Sequence, residues 1–159
     1  NKGFYYMFTS SIFSSQYKTT KDKWFNTRYN RNYVFNLLAG KEWYIGKNRQ
    51  NIFSVNGKFT YQGGDRYSPI NVALSQKQQD AVYDESNPYS CQLSPVLLAH
   101  LTITYKINKK YLSHEFSAKL MNITGYKDFY GHRYNFMTNS VEEERDAIIM
   151  PNISYKIEF

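Results

Sequence analysis

Strict two-residue alternation of apolar and polar side chains recurs along this chain and constrains its fold more than any other feature. In residues 52–62, Phe53, Val55, Phe59 and Tyr61 alternate with Ser54, Asn56, Lys58, Thr60 and Gln62. In 96–107, Leu97, Ala99, Leu101, Ile103 and Tyr105 alternate with His100, Thr102, Thr104 and Lys106. Residues 114–124 set Phe116, Ala118 and Leu120 against Glu115, Ser117 and Lys119. The final stretch, from about residue 147, sets Pro151, Ile153, Tyr155, Ile157 and Phe159 against Asn152, Ser154, Lys156 and Glu158. Successive side chains of a strand point to opposite faces, so each segment carries one greasy face and one wet face. Residues 32–45 add a strand with Tyr33, Phe35, Leu37, Ala39 and Trp43 on one side. Residues 4–17 add another, whose facing is ambiguous because apolar residues occur on both parities. No segment reads as a helix of useful length. The expected fold is all-β: an antiparallel up-and-down meander of about six long strands.

The connections alternate as regularly as the strands do. Residues 46–50 and 108–112 are short and suit tight turns. Residues 18–31, 63–95 and 125–146 are long, and the longest reads as irregular and mobile with room for a short helical turn. In a meander this places both short turns at one end and all three long connections at the other. Loops of that length count against a compact soluble domain. Short turns on one rim and long loops on the other, with strands of at least the ~9–11 residues needed to cross a bilayer, are features of transmembrane barrels.

Composition supports the same expectation. Aromatics make up 18% of the chain, led by 16 Tyr, yet the mean hydropathy is −0.65. Singly interleaved apolar and polar residues, with Tyr at a boundary, reconcile those two values. No window approaches the ~18–20 apolar residues of a membrane helix, which says nothing against membrane strands. The net charge of +7 raises a nucleic-acid reading, but the basic residues are dispersed through turns and alternate strand positions and read as solvated. The single Cys91 forbids an intrachain disulfide. The chain opens on Asn1 with no initiator Met, which fits a removed signal or a piece cut from a longer protein.

Particular stretches carry a resemblance. Residues 36–43 (NLLAGKEW), 56–70 (NGKFTYQGGDRYSPI), 83–90 (YDESNPYS), 114–124 (HEFSAKLMNIT) and the closing PNISYKIEF resemble the last strands of TonB-dependent outer-membrane receptors. The resemblance implies roughly the final quarter of a plugged barrel of about 22 strands, with the plug and the energy-coupling segment lying outside this chain. It also implies a Gram-negative outer-membrane location and import of a scarce solute by TonB coupling. The partners would be outer-membrane lipid and lipopolysaccharide, the rest of the barrel and plug, and the TonB protein; neither a cofactor nor nucleic acid is expected. Lys58, Thr60, His100, Thr102, Lys106, Glu115 and Lys119 would then line the lumen, with His100 standing where an acidic residue is expected. Ile153, Tyr155, Ile157 and Phe159 resemble the terminal signal read by the barrel-assembly machinery, and they are equally explained as lipid-facing side chains.

No catalytic constellation stands out. His100, His114 and His132 lack metal-ligand spacing, and the EEERD of 142–146 lacks the alternating ligands of a calcium loop. Trp24, Arg28, Arg66, Tyr67, Tyr83, Tyr130, Arg133 and Tyr134 fall in the long connections. They are candidates for solute contacts, or else an interfacial aromatic girdle with a solvated loop. Lys18, Lys21, Lys23, Arg28 and Arg31 are candidates for pairing with lipopolysaccharide phosphates.

Six strands cannot close at the family's geometry. Detergent, a second copy, or collapse into a small sandwich would have to cover the apolar face of an isolated piece. The competing reading is a soluble secreted barrel or sandwich with an apolar ligand inside. It buries Phe53, Val55, Leu101, Ile103 and Ile157 inward, whereas the receptor reading turns them outward.

Overall fold

The computed structural model describes residues 3–19 and 22–159. Six long strands form one antiparallel sheet: β1 (Phe4–Ile12), β4 (Tyr33–Ile45), β5 (Asn51–Gln62), β8 (Val96–Asn108), β9 (Ser113–Met121) and β12 (Met150–Glu158), in that spatial order. This is the expected all-β meander, and every long strand pairs with its predecessor. The tight turns 46–50 and 109–112 lie side by side, since the Asn108 amide Nδ2 donates to the Gln50 carbonyl at 2.7 Å.

The three long connections are more regular than the sequence suggests. The first carries a hairpin of β2 (Gln16–Lys18) and β3 (Trp24–Asn26). The second carries the short pair β6 (Arg66–Tyr67) and β7 (Cys91–Gln92), with helix α1 (Val72–Gln78) between them. The third is a hairpin of β10 (Asp128–Asn135) and β11 (Ser140–Asp146). Thus the first strand ends at Ile12 instead of running to residue 17, and the EEERD segment lies in strand β11. The fifth strand stops at Met121 and the sixth starts at Met150, because Asn122 leaves the ladder with φ 56°. Its side chain donates to the carbonyls of Tyr126 at 2.9 Å and Ile148 at 3.2 Å.

These excursions dock on one another above the long-connection end. Asn30 is buried, accepts from the Ser15 amide at 3.0 Å and donates to Asn26 at 2.8 Å. Arg31 bridges to Asp65 at 2.5 Å, tying the first connection to the second. The Gly63–Gly64 pair allows this contact: a Cβ on Gly63 would sit 1.8 Å from the Arg31 carbonyl oxygen, and one on Gly64 2.2 Å from that of Leu93. The expected mobile loop is therefore anchored at its root by backbone packing that only glycine permits.

Register sorts the sheet's side chains by face. Residues directly opposite in an antiparallel pair share a face. One face collects Phe8, Leu37, Phe59 and Ala99 in one row, and Ala39, Gly57, Leu101 and Leu120 in the next. Lys41 is the one formally charged side chain on that face among the described residues, and its ammonium lies 5.1 Å from the Trp43 ring centroid. Among the described residues nothing covers this face. The sheet does not collapse into a sandwich, and its strands pack mainly on their neighbours in the ladder. Only Leu93, Val96, Ala99 and Tyr134 are buried hydrophobics among the described residues. The accessible area is 11210 Å², whereas a folded monomer of this mass exposes about 8,300 Å². The sheet is held by its backbone ladders while its apolar side chains make no core.

Candidate functional site

The docked connections form an open cavity of about 250 Å³ lined by Arg28, Asp65, Arg66, Tyr67, Tyr83, Glu85, Tyr89, Phe129 and Tyr130 among others. Five of the eight proposed solute contacts therefore meet at one place: Arg28, Arg66, Tyr67, Tyr83 and Tyr130. Arg66 is held rigidly, donating from Nε to the Asn30 carbonyl at 2.9 Å and from its terminal nitrogen to Asn32 Oδ1 at 3.0 Å. Arg28 lies 3.9 Å from Asp65. Tyr130 is the extra residue of a β-bulge, because Phe129 pairs with Arg145 and Gly131 with Glu144. A bulge re-aims one side chain out of the ladder, and the exposed Tyr130 stands in the cavity's wall.

The remaining three candidates lie away from that cavity. Trp24 is exposed on the β2–β3 hairpin with the Lys18 ammonium 5.8 Å from its ring. Arg133 sits opposite Glu142 across the β10–β11 ladder. Tyr134 is buried in the hairpin and donates its hydroxyl to Asn139. Most of the basic strip has partners within the chain. Lys18 pairs with Asp22 at 2.7 Å, and Arg28 and Arg31 share Asp65. Lys23 lies 4.8 Å from the Phe25 ring centroid, and Lys21 lies outside the described residues.

Sequence reasoning missed Asp65, Glu85, Tyr89 and Phe129, since only docking of separate connections brings them together. His132 was visible but was weighed only as a metal ligand. It sits among Tyr67, Tyr83 and Phe129, with ring centroids 5.1, 5.7 and 5.0 Å away. The Tyr83 hydroxyl and His132 Nδ1 are 3.2 Å apart. Burial holds the imidazole below its ordinary range, with Glu143 opposing and Arg145 reinforcing that shift. Burial likewise raises the Tyr67 phenol, whereas hydrogen bonds from Asn135 and Thr138 lower the Glu142 carboxyl. Among the described residues no group of three or more His, Cys, Asp or Glu is placed to hold a metal ion.

The sheet separates the other proposed residues by face. Lys58, Thr60, His100, Thr102, Lys106, Glu115 and Lys119 all share the polar face, opposite one another in register or on the same parity. Ile153, Tyr155 and Ile157 project from the apolar face of β12, with Ile153 87% exposed. Phe159 follows that strand and is also exposed. On the apolar face, register reveals a row that the linear sequence concealed: Trp43, Phe53, Tyr105, Phe116 and Tyr155 lie side by side across five strands. A second aromatic group, Phe8, Tyr33, Phe35, Phe59 and Tyr61, stands toward the long connections. Within it Tyr33 lies 5.5 Å from Phe35 and 5.6 Å from Tyr61. From Phe53 to Tyr61 the chain advances about 27 Å along β5, or about 20 Å along the normal of a bilayer crossed at the usual tilt.

No protein-family model, no curated protein and no solved structure matches this chain.

Proposed function

We propose that this chain is wall from the C-terminal part of a TonB-dependent outer-membrane receptor, a barrel that binds a scarce solute outside the cell and imports it. The observation carrying this reading is the uncovered apolar face, with its single lysine and its two aromatic borders. It spans about 24 Å across the six strands and about 27 Å along them, on the order of 650 Å², more than the largest apolar patch of a typical soluble monomer. Hydrocarbon would solvate that face, and Trp and Tyr would mark its borders at the headgroups. Lys41 would extend its stem along the surface to reach the same border as Trp43.

Orientation follows from the barrel convention of short inner turns and long outer loops. The cavity of Arg66, Tyr67, Tyr83 and Tyr130 then opens outside and is the proposed solute-collecting surface. The polar face becomes the inner wall, against which a plug would sit. The free edges of β1 and β12 would pair with the rest of the barrel, because a spanning sheet leaves no edge open in lipid. Sheet residues Phe53, Val55, Leu101, Ile103 and Ile157 enclose no interior space, so the soluble ligand-holding barrel explains less.

Impermeant maleimide labelling of intact Gram-negative cells carrying the whole receptor tests location and orientation together. With Cys91→Ser as background, Asn139→Cys is expected to label in intact cells and Lys110→Cys only after the outer membrane is breached. Recovery of the protein in the soluble fraction, or labelling of Lys110→Cys from outside, would defeat the proposal.

A further inference from the structure

The polar face sorts its charges by height above the short turns. Nearest the turns, Lys106, Glu115 and Lys156 stand side by side in register. Glu158 there accepts from Lys106 Nζ at 2.8 Å and from the Ser113 hydroxyl at 3.1 Å, and Lys156 also reaches it. Every cation at that level has a carboxylate.

Higher up the balance is different. Lys58 stands directly opposite His100, and Lys119 directly opposite Thr102. Neither Lys58 nor Lys119 forms an ion pair among the described residues. With Asn56, His100 and Thr102 they line a cavity of about 330 Å³ in the face. The Tyr5 hydroxyl occupies Asn56 Oδ1, which leaves the Asn56 amide NH2 as a donor. Gly40 makes that reach possible, since a Cβ there would lie 2.6 Å from the Tyr5 ring. The cavity thus presents two ammonium groups, an amide NH2 and a hydroxyl, and no carboxylate. Lysine Cα atoms placed this way are about 12 Å apart, close enough for both flexible side chains to converge on one bound group.

We propose that Lys58, Lys119, His100, Asn56 and Thr102 form a docking site for an acidic polypeptide segment, seated by one or two carboxylates against the sheet's polar face. Charge complementarity decides the occupant. Two uncompensated cations in a partly enclosed concavity repel each other, and a carboxylate partner removes that repulsion while accepting charge-assisted hydrogen bonds. The inference rests on the polar face being an inner wall, where a chain segment would be packed.

Binding of dye-labelled hexaglutamate to the full chain in zwitterionic detergent micelles tests this, read by fluorescence anisotropy. The double variant Lys58→Gln/Lys119→Gln is expected to weaken binding at least about tenfold, equivalent to about 1.4 kcal/mol. Lys106→Gln/Lys156→Gln removes the same charge from a level that has its own carboxylates, and is expected to change binding less than about threefold. The NMR signal of the His100 imidazole is expected to move when peptide is added to the unaltered chain. Absence of binding, an unmoved His100 signal, or equal losses in both double variants would overturn the proposal. So would saturable binding of inorganic phosphate that the peptide fails to displace, which would give the site to a small anion. The titration needs only the folded sheet in detergent, so it is separable from the cell-labelling test. Peptide binding with failed surface labelling would remove the outer-membrane reading and leave the docking site standing.

Discussion

The six-strand sheet and the docked connections above it are built from the same chain but stabilised in opposite ways. In the sheet, the side chains of one face touch no second layer, and Ile103 and Ile157 are each 40% exposed. In the connections, small polar side chains are buried and satisfied: Asn30 is 2% exposed and Ser75 fully buried. Ser75 accepts from the Val82 amide at 3.0 Å. The sheet therefore depends on its surroundings for its apolar term, whereas the connections carry their own stabilisation. A hydrocarbon environment should strengthen the first and leave the second nearly unchanged.

The largest expected effect separates the two faces of the sheet. Leu101 lies midway between the aromatic borders, level with Gly57 and Leu120. Leu101→Arg is expected to cost about 2–4 kcal/mol in lipid-vesicle urea titrations, the range for a cation at the bilayer midplane. Thr104→Arg, on the polar face beside Ser54 and Ser117, should stay within about 0.5 kcal/mol. Equal costs would erase the distinction between faces.

Next comes the connection layer. Asn30→Ala strands the Ser15 amide and is expected to cost about 1–3 kcal/mol. Hydrogen exchange should report the loss in residues 13–32 and 63–67, with the β5–β8 ladder unaffected. Spread of the loss into β8 would mean that the two regions are not independent.

A smaller effect probes the aromatic border. A double-mutant cycle on Trp43 and Phe53, whose centroids lie 5.6 Å apart, should return a coupling of about 0.5–1.5 kcal/mol. A coupling indistinguishable from zero would show that the row is only a list of neighbours.

The smallest is a pH effect confined to the connections. Burial lowers the His132 pKa in the docked hairpin, so the released hairpin binds the proton more readily. Docking is then complete above the ordinary imidazole range and weakens as pH falls through the lower docked value. Tryptic cleavage after Arg133 or Arg145 should accelerate on acidification, and Tyr83→Phe, which removes the hydroxyl facing Nδ1, should alter the midpoint. Cleavage rates that track only the protease's own pH profile would remove His132 from this role.

Much of the sheet was legible because its side-chain period is two and its strands are long. Alternation located β4, β5 and β8 to within a residue or two. It left the facing of the first strand open, where Tyr5 and Met7 make the polar parity look apolar. Tyr5 is tolerated there because it lies across Gly40 and spends its hydroxyl on Asn56, a three-strand arrangement that no local pattern encodes. The aromatic row was hidden for a related reason, since Trp43 and Tyr155 become members only through four successive registers. In the connections, aromatic and cationic composition pointed to Arg66, Tyr67 and Tyr83. It could not separate Tyr130, set in the cavity's wall at a bulge, from Tyr134, buried in the same hairpin.

Spin-label accessibility along β8, with the chain reconstituted in lipid bilayers, tests the outward apolar face most directly. Labels at Leu101→Cys and Ile103→Cys, in a Cys91→Ser background, should be relaxed by oxygen dissolved in the hydrocarbon. Labels at Thr102→Cys and Thr104→Cys should respond to an aqueous nickel reagent, giving a period of two. Reversal of that alternation, or its absence, would contradict the membrane-wall account.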